Sequence, residues 1–226
     1  MTSLDDYPRI AVIDHGAGNL VSIEQALTVV GARVSIVRDA AGLGPADAVV
    51  VPGVGAAGPA MKRLDERGLT EALRQWIADD RPFLGICLGM QLLFDGSDED
   101  GSTTLGAIAG RTTLIEDAPT LPHIGWNQVE RVGPHPAFDG IPDDADFYFD
   151  HSYAGAPLDA GLVLARTGHG RPFVSAVARG RLLGVQFHPE RSGRDGLRLL
   201  ANFVEGVRVA TDAGLVGSVR STGSAA

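Results

Sequence analysis

The chain has 226 residues with 19 Lys and Arg against 28 Asp and Glu, a net charge of −9, which excludes nonspecific nucleic-acid binding and attraction to anionic membranes. An apolar fraction of 44% supports a substantial core, and a single cysteine excludes an internal disulfide. No apolar run reaches membrane-spanning length and Met1 to Tyr7 lack a basic and apolar leader, so a cytoplasmic protein is expected.

Arg9 to Ile13 reads as a first strand, followed by Asp14-His15-Gly16-Ala17-Gly18-Asn19 and a helical pattern ending near Gly31. Asn19 suits an N-cap and Gly31 a C-terminal glycine. Val34 to Val37 and Ala48 to Val51 are further strands, the second apolar throughout, as a strand buried on both faces is. Helical periodicity covers Ala57 to Glu66 and Leu69 to Ala78, before an apolar run entering Cys87. Alternation of strand and helix over the first ninety residues predicts a parallel sheet covered by helices on both faces.

Beyond Arg111 the pattern changes to short strands: Thr112 to Ile115, Gln128 to Val132, Phe147 to Asp150, Leu162 to Arg166, Phe173 to Ala178 and Leu182 to Phe187. Gly180-Arg181 is a weak hairpin signal between the last two. A closing helix is expected from Gly193 to about Val207, and the small polar residues after it read as a flexible tail. The fold class is therefore α/β, one domain with a central mixed, largely parallel sheet flanked by helices. Residues 1–8 form an N-terminal extension, 9–208 the domain and 209–226 the tail.

Cys87 stands between Gly85 and Gly89, where a strand-like run turns into a helix-like run, Leu88 to Phe94. That is the pattern of a nucleophile elbow, which forces a reactive side chain into a strained, exposed position. A buried cysteine is more often a small core residue; the paired glycines and the strand-to-helix context argue otherwise. A thiolate that attacks an amide needs a base, a group to orient that base, and oxyanion donors. His188, in Gln186-Phe187-His188-Pro189-Glu190, follows a strand and so falls on the same sheet edge as Cys87, with Glu190 placed to orient its ring. The loop Pro52-Gly53-Val54-Gly55 and the N–H of Leu88 are the oxyanion candidates. Gln91, one turn after Cys87, faces the same pocket, and Ser152 and Tyr153 end another strand with groups for a polar ligand. Gly16-Ala17-Gly18-Asn19 lacks the full dinucleotide spacing and the P-loop lysine. The other histidines show no ligand spacing, so neither a metal nor a cofactor is expected.

These segments together resemble the class I, triad-type glutamine amidotransferases, and among them the glutaminase subunits of imidazole glycerol phosphate synthase. The resemblance rests on Ile13 to Leu20, Gly85 to Phe94, Pro122 to Val129, Phe147 to Tyr153 and Gly184 to Glu190, and spans roughly Arg9 to Val207. It implies a glutaminase that forms a γ-glutamyl thioester on Cys87, with His188 and Glu190 completing the triad and Gly53, Val54, Gly55 and Leu88 forming the oxyanion site. Gln91, Ser152 and Tyr153 would hold glutamine. It further implies a heterodimer with a (β/α)8-barrel cyclase subunit, HisF, which receives the ammonia and converts PRFAR to imidazole glycerol phosphate and AICAR in histidine biosynthesis. Asn19, Trp126, Asn127, Tyr148 and Arg191 fall in segments similar to that interface. Three residues depart from the usual pattern: His15 replaces tyrosine, Asp150 replaces a small apolar residue, and Arg191 replaces lysine, which changes reach and geometry at the coupling surface. A different amidotransferase subunit, a stand-alone hydrolase on this fold, or a noncatalytic partner are the alternatives.

Overall fold

The computed structural model describes residues 7–214. In chain order the elements are β1 (Arg9–Ile13), α1 (Leu20–Val29), β2 (Arg33–Val37), β3 (Ala48–Val51), α2 (Ala57–Glu66), α3 (Leu69–Ala78), β4 (Phe83–Ile86) and α4 (Leu88–Gln91). There follow β5 (Gly96–Ser97), β6 (Gly110–Leu114), β7 (His123–Gln128), β8 (Glu130–Arg131), β9 (Asp146–His151) and β10 (Tyr153–Pro157). The chain closes with β11 (Val163–Thr167), β12 (Phe173–Arg179), β13 (Leu182–Val185) and α5 (Gly193–Asp212).

Eight strands form one sheet in the order β2-β1-β3-β4-β13-β12-β11-β8. The strands from β2 to β13 pair in parallel, and β12, β11 and β8 continue antiparallel, so the sheet is mixed as expected. Its faces are both covered. Ile10 and Val12 of β1 enter one core cluster with α1 and α5, while Ala11 and Ile13 enter the other with α2 and α3. This two-sided burial is why β1, β3 and β4 read as nearly unbroken apolar runs. Two smaller sheets, β10-β6-β5 and β7-β9, lie beside the main one. Among the described residues no helix is long and apolar enough to cross a membrane.

The parallel register between β4 and β13 sets up the site. Gly85 lies beside Gly184 and Ile86 beside Val185, and the Cys87 N–H extends the ladder to the Val185 carbonyl at 2.8 Å. Cys87 and the residues just after Val185 therefore leave the sheet together at its C-terminal edge, where ligand sites of open α/β sheets gather.

Several boundaries differ from the sequence reading. The helix after Cys87 is a single turn, because the carbonyls of Leu92, Leu93 and Phe94 accept from Leu105, Ile108 and Gly106 instead of from further helix. Strand β7 was not expected, and β5 and β10 likewise; the expected strand Gln128 to Val132 is divided between the end of β7 and the short β8. Helix α5 continues past Val207 to Asp212, Ala210 extending its buried stripe, so the first residues assigned to the tail are helical. Residues 215–226 of that tail, and most of the N-terminal extension, lie outside the described residues.

Candidate active site

Cys87 has φ 52° and ψ −106°, a conformation that L-residues rarely adopt and that costs about 1–3 kcal/mol. The surrounding glycines explain how the chain tolerates it. A Cβ on Gly85 would stand 2.6 Å from the Gly89 carbonyl oxygen, and one on Gly89 would overlap the Val51 carbonyl oxygen of β3. Strand, turn and helix thus pack backbone against backbone, and Cys87 is held at the edge of the sheet with its sulfur beside a cavity.

His188 is buried, and its Nδ1 lies 2.9 Å from Glu190 Oε1, itself nearly enclosed. The backbone fixes the ring from below: the His188 N–H donates to the Tyr148 carbonyl at 2.8 Å, and Ser192 Oγ donates to the His188 carbonyl at 2.6 Å. Nε2, on the other side of the ring, has no well-formed hydrogen bond. Burial alone would lower the pKa of this imidazole, but the nearby Cys87 sulfur and the Glu190 carboxylate raise it to about 10. The elbow that carries Cys87 and the His188–Glu190 pair thus leave the sheet from the adjacent strands β4 and β13.

A cavity of about 180 Å³ opens on the sulfur, lined by Gly55, Cys87, Gln91, Glu99, Asp150, Ser152 and Tyr153 among others. Gln91, Ser152 and Tyr153 are thereby brought together as the spacing suggested. Gln91 Nε2 is already engaged, donating to the Tyr153 carbonyl at 2.8 Å and to Gln186 Oε1 at 3.3 Å. Glu99 is a residue that sequence reasoning missed. It sits in the acidic run Asp95 to Asp100, which reads as a solvated loop, yet burial and then the neighbouring Asp100 raise its pKa above the usual carboxylate value.

The Pro52 loop lies against the elbow with its donor turned away. The Gly53 carbonyl accepts from the Leu88 N–H at 3.4 Å, so the N–H expected to stabilise an oxyanion is capped. Gly55 has φ +92° and open space around it. His15, fully buried, bonds through Nε2 to the Pro52 carbonyl at 2.7 Å and anchors the start of the loop.

On the far side of His188 a smaller cavity, about 60 Å³, is lined by Gly18, Asn19, Pro52 to Val54, His188, Glu190 and Arg191. On β7, Ile124 and Trp126 are exposed, and Tyr148, opposite Trp126 in the β7-β9 register, meets it edge-on at 6.1 Å. The Arg191 guanidinium stacks 3.9 Å from the Tyr148 ring and reaches 3.9 Å from the Asp150 carboxylate, so two of the three departures from the usual pattern touch each other. Asn127 points the other way. Strand alternation places it on the His123 face, where its amide bonds to His123 Nε2 at 3.1 Å and to the Gly168 carbonyl at 2.9 Å.

His123 and His151 are buried neighbours on that face, 3.3 Å apart between ring nitrogens. Burial, then the charge of His169, lowers the His123 pKa to about 4; burial above all lowers that of His151 to about 3. Unfolded histidine titrates near 6.5, so below that pH the unfolded chain binds protons that the folded chain refuses. Stability is therefore expected to fall as pH drops from about 6.5 towards 4, above the range where ordinary carboxylates titrate. Urea unfolding at pH 7 and pH 5 should differ by about 2 kcal/mol or more; equal midpoints would contradict the neutral buried pair.

Residues 11–207 match the family of class-I glutamine amidotransferases. The imidazole glycerol phosphate synthase subunit HisH of Symbiobacterium thermophilum is 49% identical over 196 residues, covering 86% of this chain and 92% of its own. The subunit HisH of Thermosynechococcus vestitus is 49% identical over 201 residues, covering 87% and 96%. A crystal structure of a glutamine amidotransferase superposes with a TM-score of 0.70 over 87% of this chain and 98% of its own, at 22% identity, a likeness of fold alone. With the family matched from β1 to α5 and relatives near half identity over most of their length, the chain belongs to the class-I glutamine amidotransferases.

Proposed function

We propose that the chain is the glutaminase subunit of an imidazole glycerol phosphate synthase, and that it hydrolyses glutamine through Cys87, His188 and Glu190. The observation that carries the chemistry is the strained elbow that opens Cys87 to a cavity, with the His188–Glu190 pair on the adjoining strand end. The likeness to HisH subunits supports the choice of substrate and assembly. The sulfur attacks the side-chain amide carbon of glutamine, and His188 gives a proton to the departing ammonia. Water, deprotonated by His188, then cleaves the γ-glutamyl thioester to glutamate. Across the cavity, Glu99 has the chemistry to pair with the substrate ammonium, while Gln91 and the backbone of Ser152 and Tyr153 hold its polar groups.

Leu88 and Val54 or Gly55 supply the oxyanion N–H groups once the Gly53–Val54 peptide turns over and uncaps Leu88. Asn19, Trp126, Tyr148 and Arg191 form the docking surface for a (β/α)8-barrel cyclase subunit, with Asn127 behind it buttressing β7. The smaller cavity on the far side of His188 leads ammonia towards that subunit, away from the glutamine entrance. The test is a mixing assay. Glutamine should support formation of imidazole glycerol phosphate and AICAR from PRFAR only when this chain and the cyclase are both present. Glutamine hydrolysis that ignores the cyclase and its ligand would overturn the assignment.

A further inference from the structure

The sulfur of Cys87 touches a side chain to which the motifs assign no role. Gln186, just beyond β13, is fully buried, and its Nε2 donates to Cys87 Sγ at 3.5 Å. Its main chain is fixed by an N–H bond to the Ser175 carbonyl at 2.9 Å. Its Oε1 accepts from Gln91 Nε2 at 3.3 Å, and Gln91 Nε2 also donates to the Tyr153 carbonyl at 2.8 Å.

This chain of bonds has a fixed polarity. The Tyr153 carbonyl can only accept, so Gln91 must present its NH2 group there. That group then demands the oxygen of Gln186, which leaves the Gln186 NH2 facing the sulfur. Reversing either amide would set oxygen against oxygen or donor against donor. On its other side the sulfur lies 4.0 Å from the Asp150 carbonyl, a partner for a thiol hydrogen but not for a thiolate. Each protonation state of the sulfur thus has its own neighbour.

We propose that Gln186 is a catalytic residue whose amide N–H, aligned by Gln91, holds the Cys87 sulfur as thiolate. It acts before attack on the amide and again when the thioester is cleaved. In that second step water oxygen bonds to the acyl carbon, the C–S electron pair returns to sulfur, and the water proton passes to His188. The inference rests on the reading of Cys87 as nucleophile.

Because Cys87 is the only cysteine, its alkylation by iodoacetamide reports that sulfur alone. The measurement is the alkylation rate against pH in the full chain, wild type against Gln186→Leu. Losing a hydrogen bond to a charged group should move the profile about one pH unit to the alkaline side, slowing alkylation roughly tenfold on its rising limb. Other titratable groups facing the sulfur are the same in both proteins: His188 with Glu190 behind it, and Glu99, Asp150, His151 and Tyr153 around the cavity. In complex with the cyclase, kcat for glutamine should fall roughly tenfold with KM little changed, while ammonia-dependent synthesis is retained. Gln91→Leu, which leaves Gln186 in place without its alignment, should shift the profile in the same direction, and decides the matter if Gln186→Leu does not fold. An unchanged profile in a folded variant overturns the proposal. Absence of glutamine-dependent activity in the wild-type complex would instead overturn the assigned function, and the alkylation profile would still decide the contact.

Discussion

Cys87→Ala is expected to reduce glutamine-dependent product formation on the order of 10⁴-fold or more, with ammonia-dependent synthesis by the complex unaffected. The size follows from how the site is built. In the proposed mechanism both proton transfers of His188 serve a bond made or broken at the sulfur, so removing it would disable all three residues at once, and such units are far from additive. Residual rate would come from the donors around the cavity positioning water against a bound amide. The two assays separate chemistry from assembly. If both activities fell together, the substitution would have damaged docking; if neither fell, Cys87 would not be the nucleophile.

Gly89→Ala should be the most damaging small substitution in the molecule. The added methyl would overlap the carbonyl oxygen of Val51, and both partners are main chain, one at the start of α4 and the other at the end of β3, an interior strand of the sheet. Neither can swing aside as a side chain would. Overpacking usually costs about 1–3 kcal/mol; with two fixed backbones the loss should reach or exceed about 3 kcal/mol. Gly206→Ala is the control, since its site in α5 is exposed and open, and alanine there should be neutral or stabilising by about 0.5–1 kcal/mol. Urea midpoints of the two variants test the contrast. A Gly89→Ala protein as stable as wild type would mean that the elbow is looser than its close packing implies.

Local patterns explain what could be read before the fold was known. Helices α2 and α3 were legible at both ends because each buries one stripe, and β3 because sheet strands covered on both faces leave no polar residue. Cys87, His188 and Glu190 could be grouped from sequence because they sit in two short motifs, which emerge side by side from β4 and β13. What escaped depends on contacts distant in sequence. Strand β7 contains Gly125 and alternating polar residues, and is a strand only because β9 pairs with it. The run Leu88 to Phe94 is apolar enough for a helix, but a later loop takes its carbonyls. Glu99 looked like one more solvated acid, and Gln186 like one more strand residue, until the fold set each against the cavity or the sulfur.

The capped Leu88 N–H bears on how a cell can manage this subunit. If the proposed roles hold, a copy without its partner would have its triad assembled but its Leu88 donor capped by the Gly53 carbonyl, and so would be poised without being active. Copies made in excess of their partner would therefore leave the glutamine pool untouched, and synthesis of the two subunits would not need to be matched. Control of nitrogen flow would rest on the orientation of one peptide bond rather than on gene dosage.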